Sequence, residues 1–257
     1  MSNYSKKKYL EFIYRLDKVL NDGAKILTLD YIEYLNKKYP FQRIIIGDQK
    51  SRRVLISAGI HGDEPSGIEA ILYFLKSGQY KSYLDEWEIT ILPCINPYGY
   101  ENNTRENHNG KDLNRLFKDQ LPPLEVQLAK STIKSSYFDI SIELHEDSDS
   151  NGYYLFQKSN EPNGLKVGLK IIEAVKEIIP INLDDTIDNM PSENGVIHKI
   201  KDIDEMELWP MACYSLAMKT GHCLTLETPT KLSMSVRIKA HLQAIDQALK
   251  TIAQIKM

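Results

Sequence analysis

Apolar residues recur every three or four positions in several stretches of this 257-residue chain. Such spacing places side chains on one face of a helix. It predicts helices over 4–20, 65–76, 124–136, 163–178 and 235–256. Thr28, a residue type that caps helices well, predicts a further short helix that ends near Lys38.

Short runs rich in β-branched residues alternate with these helices and predict strands. They cover 43–47, 54–59, 88–96, 138–144, 153–157 and 222–228. The alternation indicates an α/β fold, a three-layer α/β/α arrangement around a central mixed, mostly parallel sheet. Residues 180–210 have weak periodicity and many acidic and amide side chains, so we expect a long loop of the kind that often carries function.

Length and composition favour a single domain over 1–257, with residues 1–40 as a helical N-terminal extension. A net charge of -3 with interspersed signs gives no electrostatic reason to expect nucleic acid or membrane as a partner. The three cysteines lack CxxC spacing and are interpreted as reduced thiols. Neither a signal peptide nor a membrane span is evident, so cytoplasm is the expected location.

Three residues have the types and positions of a metal site. His61 and Glu64 stand three residues apart in the bend after a predicted strand, and His145 follows another strand. Ligands gather at the carboxyl ends of parallel strands, so these side chains are expected to meet. Three such ligands would leave one position of a catalytic zinc ion for water. The alternatives are a solvated helix start and a hydrogen-bonded loop histidine.

A polar segment between these residues is a candidate anion site. Arg105 and Arg115 lie ten residues apart among amide side chains, and Asn114 could add a donor. Guanidinium groups grip carboxylates through two parallel hydrogen bonds. The alternative is a surface loop whose arginines pair with neighbouring acidic residues.

In their order along the chain, these segments resemble the zinc carboxypeptidase superfamily, which includes the aspartoacylases and succinylglutamate desuccinylases. The family pattern is an HxxE pair, an NP-G turn, an arginine, a DLNR-F motif, a later histidine and a glutamate that ends a strand. The matching residues are His61 to Glu64, Asn96 to Gly99, Arg105, Asp112 to Phe117, His145 and Glu227.

The resemblance implies that His61, Glu64 and His145 hold Zn²⁺ in a catalytic domain. It also implies that Asp112 orients a metal-bound imidazole, as carboxylates commonly do for zinc histidines.

The same resemblance implies roles for four further residues. Arg105 would polarise the scissile carbonyl, and Asn114 and Arg115 would bind the substrate carboxylate. Glu227 would be the general base that activates water and returns the proton to the leaving nitrogen. The alternative for Glu227 is a strand-end carboxylate at the surface, although the apolar run before it favours burial.

The chain also departs from the family pattern. Carboxypeptidases have a tyrosine roughly 20 residues before the catalytic glutamate, and this chain has none there. Tyr153, Tyr154 and Tyr214 are alternatives, and the role is not assigned. The short spacing from Glu64 to His145 is typical of the deacylase branch. However, about 30 residues follow Glu227, too few for the C-terminal domain that deacylases usually carry.

Three functions follow from the resemblance. The first is a zinc metallocarboxypeptidase acting on a peptide or peptide-like C-terminus, which an open cleft would favour. The second is an N-acyl amino acid deacylase, and the third is a non-catalytic carboxylate-binding relative. The acidic residues at 146–149 would attract a cationic substrate group or a second cation, or form a solvated loop. Oligomeric state and side-chain preference stay open.

Overall fold

The structure is a computed structural model that describes residues 8–20, 23–48, 50–160, 164–200 and 202–254. The helices are α1 (Lys8–Val19), α2 (Pro65–Lys76), α3 (Pro97–Asn102), α4 (Leu124–Lys134), α5 (Gly164–Val175), α6 (Met211–Ala217) and α7 (Met234–Ala253). The strands are β1 (Ala24–Tyr34), β2 (Lys37–Ile46), β3 (Arg52–Ala58), β4 (Trp87–Leu92), β5 (Ile140–Asp147), β6 (Tyr154–Ser159), β7 (Thr186–Ile187), β8 (Met190–Pro191), β9 (Val196–Ile197) and β10 (His222–Pro229).

Eight strands form one mixed sheet in the order β1-β2-β4-β3-β5-β10-β6-β9. The central strands β4, β3, β5 and β10 run parallel, whereas β2 and β6 join them antiparallel. Their apolar sequences fit strands that are covered on both faces. The predicted α/β fold with a mixed, mostly parallel sheet is therefore confirmed.

Alternation along β5 decides which side chains face the site. A Cβ atom at Gly67 of α2 would lie 2.7 Å from Leu144 Cβ, so Leu144 faces α2. Its neighbours Glu143 and His145 therefore face the other side of the sheet, where α6 packs on β5 and β10. This second face carries the polar residues of the site.

The N-terminal prediction is correct for α1 but wrong for the second helix. Residues from Thr28 to Lys38 lie in an antiparallel hairpin of β1 and β2, with Leu35 at a φ of 52° in its turn. Thr28 hydrogen-bonds Gln42 across the strands instead of capping a helix. The expected extension is thus one helix plus strands that join the main sheet, and residues 1–7 lie outside the described residues.

The stretch at 180–210 is a long irregular connection, as predicted, with three short strands and a 3₁₀ turn. Cys94, Cys213 and Cys223 are buried free thiols. In the described part of the chain, no helix has the length and apolar character that crossing a membrane requires. The interpretation of residues 1–257 as one domain stays a prediction.

Candidate active site

A tight bend between β3 and α2 presents the first two candidate ligands. Gly59 has a φ of +64°, which favours glycine. A Cβ atom at Gly62 would lie 1.9 Å from the carbonyl carbon of Gly99, so this position also excludes a side chain. Pro65 then starts α2, with Glu64 as its N-cap residue. The bend directs His61 and Glu64 toward the end of β5.

The structure brings His61, Glu64 and His145 together, and all three are buried. His61 Nδ1 lies 2.6 Å from Glu64 Oε1, and His145 Nδ1 lies 2.9 Å from Glu64 Oε2. One ligand atom from each residue lies within 4.8 Å of the others. Two imidazole nitrogens and a carboxylate that converge in this way fit a divalent metal ion.

The electrostatics of this group agree with a cation site. Burial alone would raise the pKa of Glu64, but His145 and His61 hold that pKa below its ordinary value. Burial alone would lower the pKa of His145, yet the Glu64 carboxylate raises that pKa well above its ordinary value. The buried carboxylate therefore stays charged and requires positive charge beside it.

Asp112 and Arg105 support the group from one side. Asp112 Oδ1 lies 3.1 Å from His61 Nε2, the nitrogen that faces away from Glu64. Asp112 Oδ2 accepts hydrogen bonds from Arg105 Nε and Nη2, both at 3.1 Å. Arg105 Nη1 also lies 3.3 Å from Glu64 Oε1. Arg105 thus pairs with acidic residues, as in the surface-loop alternative, but these pairs lie inside the site and not at the surface.

Asn114 and Arg115 lie at the edge of the same site. Asn114 Oδ1 accepts a hydrogen bond from the backbone of Met211 at 2.8 Å, which fixes the amide. Arg115 Nη1 donates to the Asn114 carbonyl oxygen at 2.9 Å. Among the described residues Arg115 forms no salt bridge, although its charge lowers the pKa of Asp112 and opposes the raised pKa of Asp188. Arg115 therefore has donors that no hydrogen bond to a described carboxylate occupies.

Glu227 lies on β10 directly beside His145 of β5 and Tyr154 of β6. Its side chain is only partly exposed and lines the cavity described below, which argues against the surface alternative. Burial raises the pKa of Glu227 to about 8, and the charges of Glu64 and Asp147 add to this while His145 opposes it. A carboxyl group with a pKa near neutrality can both accept and donate a proton.

A cavity of about 980 Å³ opens over these residues. The connection at 180–210 lines one side of it, so the predicted long loop does border the site. Of the described residues with lysine or arginine side chains, Arg105 and Arg115 line the cavity. Eight acidic residues also line it: Asp63, Glu64, Glu146, Asp147, Asp149, Asp184, Asp188 and Glu227.

Of the three candidate tyrosines, Tyr154 lines the cavity. Its hydroxyl group donates to Asp147 Oδ2 at 2.9 Å. The Tyr153 side chain is fully buried, and Tyr214 packs near Phe117 with ring centroids 6.0 Å apart.

The acidic stretch after His145 is a solvated loop only in part. Ser148 and Asp149 are exposed, but Glu146 is fully buried. Glu146 accepts a hydrogen bond from the backbone N–H of Ser66 and pairs with Arg237 of α7. The loop interpretation is therefore wrong for Glu146, because this side chain connects β5 to α2 and α7.

Glu143 is a buried acidic residue that the motif comparison does not single out. Its Oε2 lies 3.8 Å from His145 Nε2, and burial raises the pKa of its carboxyl group. The sequence could have indicated Glu143, because it lies two residues before His145 and this spacing places both side chains on one face of a strand.

The sequence pattern of one family decides the assignment. The model of the succinylglutamate desuccinylase/aspartoacylase catalytic domain matches residues 50–193, more than half of the chain. The chain belongs to this family. The desuccinylase/aspartoacylase match contains all three candidate metal ligands, and Glu227 lies beyond it.

Several solved structures have the same fold as this chain. A protein from Shewanella denitrificans named as a metallopeptidase has a TM-score of 0.80 at 23% identity, and the alignment covers 95% of this chain and 90% of that one. A metallo-carboxypeptidase from Burkholderia cenocepacia has a TM-score of 0.70 at 19% identity, with coverages of 97% and 69%. A succinylglutamate desuccinylase from a Silicibacter species has a TM-score of 0.62 at 14% identity, with coverages of 93% and 70%.

Carboxypeptidase SOL1 of Arabidopsis thaliana is 34% identical over 77 residues. These residues make up 27% of this chain and 16% of that protein. The shared segment is therefore a small part of the plant enzyme.

Proposed function

We propose that this protein is a zinc-dependent hydrolase that cleaves an amide bond next to a free carboxylate, as a metallocarboxypeptidase does. The convergence of His61, Glu64 and His145 beside Glu227 is the observation that supports it most. Two imidazoles and one carboxylate are a ligand set of catalytic zinc enzymes. Bound zinc would polarise the scissile carbonyl and make water a better nucleophile.

The remaining groups fit the steps of such a hydrolysis. Glu227, with its raised pKa, is suited to take a proton from the attacking water and to pass it to the leaving nitrogen. Arg105 is held by Asp112 beside the candidate ligands, where it would stabilise negative charge on the carbonyl oxygen. Arg115 and Asn114 would bind the carboxylate of the leaving amino acid.

The charges around the cavity favour a peptide-like substrate. Arg105 is already engaged by Asp112 and Glu64, so among the described residues Arg115 is the cavity-lining base that remains for a substrate carboxylate. Eight acidic residues line the same space. Glu64 and Glu146 are paired and Glu227 has a raised pKa, so the repulsion comes from the other five, Asp63, Asp147, Asp149, Asp184 and Asp188. These would disfavour a substrate whose acyl part is also anionic, such as a succinyl group. A peptide C-terminus brings one carboxylate and avoids this repulsion.

An N-acyl amino acid deacylase is the second candidate, and the family match favours it. A substrate panel separates the two functions. The zinc-loaded protein would be incubated with short peptides, N-acetylaspartate and N-succinylglutamate, and released amino acids would be measured by mass spectrometry. We expect release from peptides. Release from acyl-aspartate or acyl-glutamate alone would contradict the carboxypeptidase proposal.

A non-catalytic relative is the third possibility, and the same panel tests it. Zinc binding without release of an amino acid from any substrate would support that reading. Glu227→Gln provides the background, because it should keep zinc and lose turnover.

A further inference from the structure

Glu143 is an acidic side chain in the interior of the sheet, where a carboxyl group is expected to have a partner. It is 2% exposed on β5, between Ser57 of β3 and Thr225 of β10. Burying a carboxyl group without a partner disfavours folding. Nevertheless, Glu143 Oε1 forms no hydrogen bond with any residue that the structure describes. Folding alone gives no reason for an acid at this position.

The position of Glu143 relative to His145 supplies a reason. His145 Nδ1 faces Glu64, and His145 Nε2 faces Glu143 Oε2 at 3.8 Å. In the described part of the chain, His145 Nε2 has no hydrogen bond to another group. At 3.8 Å the pair is not yet hydrogen-bonded, but a small side-chain rotation would close the distance.

The other candidate histidine shows the same arrangement. His61 Nδ1 faces Glu64, and a carboxylate oxygen of Asp112 lies 3.1 Å from His61 Nε2. Each imidazole therefore lies between the shared carboxylate of Glu64 and a second carboxylate on its far side. An imidazole that binds metal through Nδ1 carries its proton on Nε2 and needs an acceptor there.

We propose that Glu143 is a positioning residue of the metal site: its carboxylate accepts a hydrogen bond from Nε2–H of His145 and so fixes the orientation of that ring toward the metal. This inference rests on the proposed metal site. Glu143 acts through His145 and touches neither the metal nor the substrate.

Zinc affinity of two variants tests this role. Glu143→Leu removes the acceptor, and Glu143→Gln keeps an acceptor oxygen but removes the charge. The zinc dissociation constant would be measured by competition with a chromophoric chelator. Loss of such a partner typically weakens metal binding about 10- to 100-fold. We expect that loss for Glu143→Leu and a smaller loss for Glu143→Gln.

A second measurement separates positioning from a merely structural role. Removal of an unpartnered buried acid should leave the melting temperature of the zinc-free protein unchanged or higher. The control is Glu125→Gln, which alters another buried acid, 1% exposed and bonded to Asn107. That control should lower the melting temperature without changing zinc affinity. Long-range ¹H–¹⁵N spectra of the zinc-loaded wild type should show His145 protonated at Nε2.

The proposal fails if Glu143→Leu binds zinc within twofold of wild type, or if its affinity falls only together with its melting temperature. If Glu143→Leu does not fold, Glu143→Gln decides, since it too must weaken zinc binding. A wild-type protein that binds no zinc would instead contradict the proposed function itself.

Discussion

At the scale of single residues, the site contains acidic side chains in different states. Glu64 is held charged by two histidines, whereas burial keeps a proton on Glu227 up to a higher pH. Such a separation of two neighbouring carboxyl groups would let one site provide both the proposed metal ligand and the proposed proton carrier.

The first prediction concerns Glu227. Glu227→Gln keeps the shape of the side chain but removes its capacity to accept a proton. General acid–base catalysis contributes roughly 10²- to 10⁴-fold, so kcat should fall by about that factor on any accepted peptide. The zinc content, measured by mass spectrometry of the metal, should stay at the wild-type level. Equal kcat values for the two proteins would refute the assignment.

The second prediction concerns Arg115, which forms no salt bridge among the described residues. Arg115→Ala should raise KM for a peptide with a free C-terminus by roughly 10- to 100-fold, since a hydrogen bond to a charged group contributes about 1.5–3 kcal/mol. The measurement is steady-state kinetics with peptides that carry a free or an amidated C-terminus. Arg53→Ala is the matched control, because Arg53 pairs with Glu88 away from the cavity. An unchanged KM would exclude Arg115 from carboxylate binding.

Motif order in the sequence predicted that His61, His145 and Glu227 lie together, because each lies near the carboxyl end of a strand at one edge of the sheet. The fully buried acids were harder to find. Glu146 looked like part of a solvated acidic run, and only the structure reveals that α2 and α7 cover it. Glu143 could have been inferred from strand alternation, which places it on the same face as His145 two residues later.

At the scale of secondary structure, the bend from β3 into α2 determines where two candidate ligands point. The third prediction follows from its packing, since a methyl group at position 62 would clash with the backbone of Gly99 and Tyr100. Gly62→Ala should destabilise the fold by about 1–3 kcal/mol and weaken zinc binding. Urea unfolding and zinc titration measure the two effects.

Gly110→Ala is the control for this variant. Gly110 has a φ of +67° with open space around it, so alanine should cost about 1–2 kcal/mol without changing zinc affinity. Full zinc affinity in Gly62→Ala would mean that the bend does not control the ligands.

Helices with a long apolar face were predicted well, because burial of one face gives a clear period. The β1–β2 hairpin was missed, because local propensity at Thr28 points to a cap while the pairing partner Gln42 is distant along the chain. The short helix α6 has too few turns for a period to be seen.

At the scale of the whole molecule, a buried histidine behind the site affects stability. Burial lowers the pKa of His241 to about 3, against about 6.5 in an unfolded chain. Between these two pKa values the unfolded state binds one more proton than the folded state. This contribution to the free energy of unfolding is therefore fully retained above about pH 6.5 and falls as the pH drops below that value.

The fourth prediction is the size of that loss. Between pH 7.5 and pH 5, the free energy of unfolding should fall by about 2 kcal/mol more in wild type than in His241→Gln. Urea unfolding of both proteins with a chelator present avoids a contribution from metal release. If the free energy of unfolding depends on pH equally in both proteins, His241 does not change its protonation on unfolding.

The buried contacts of Glu146 with Ser66 and Arg237 have a consequence for the proposed binding of a metal ion. These contacts hold β5, which carries His145, against α2, which begins after Glu64, and they do not require a metal ion. The candidate metal site should therefore be formed in the folded protein before an ion binds. Stripping with a chelator should leave the circular dichroism spectrum unchanged, and returning the ion should restore function without a refolding step.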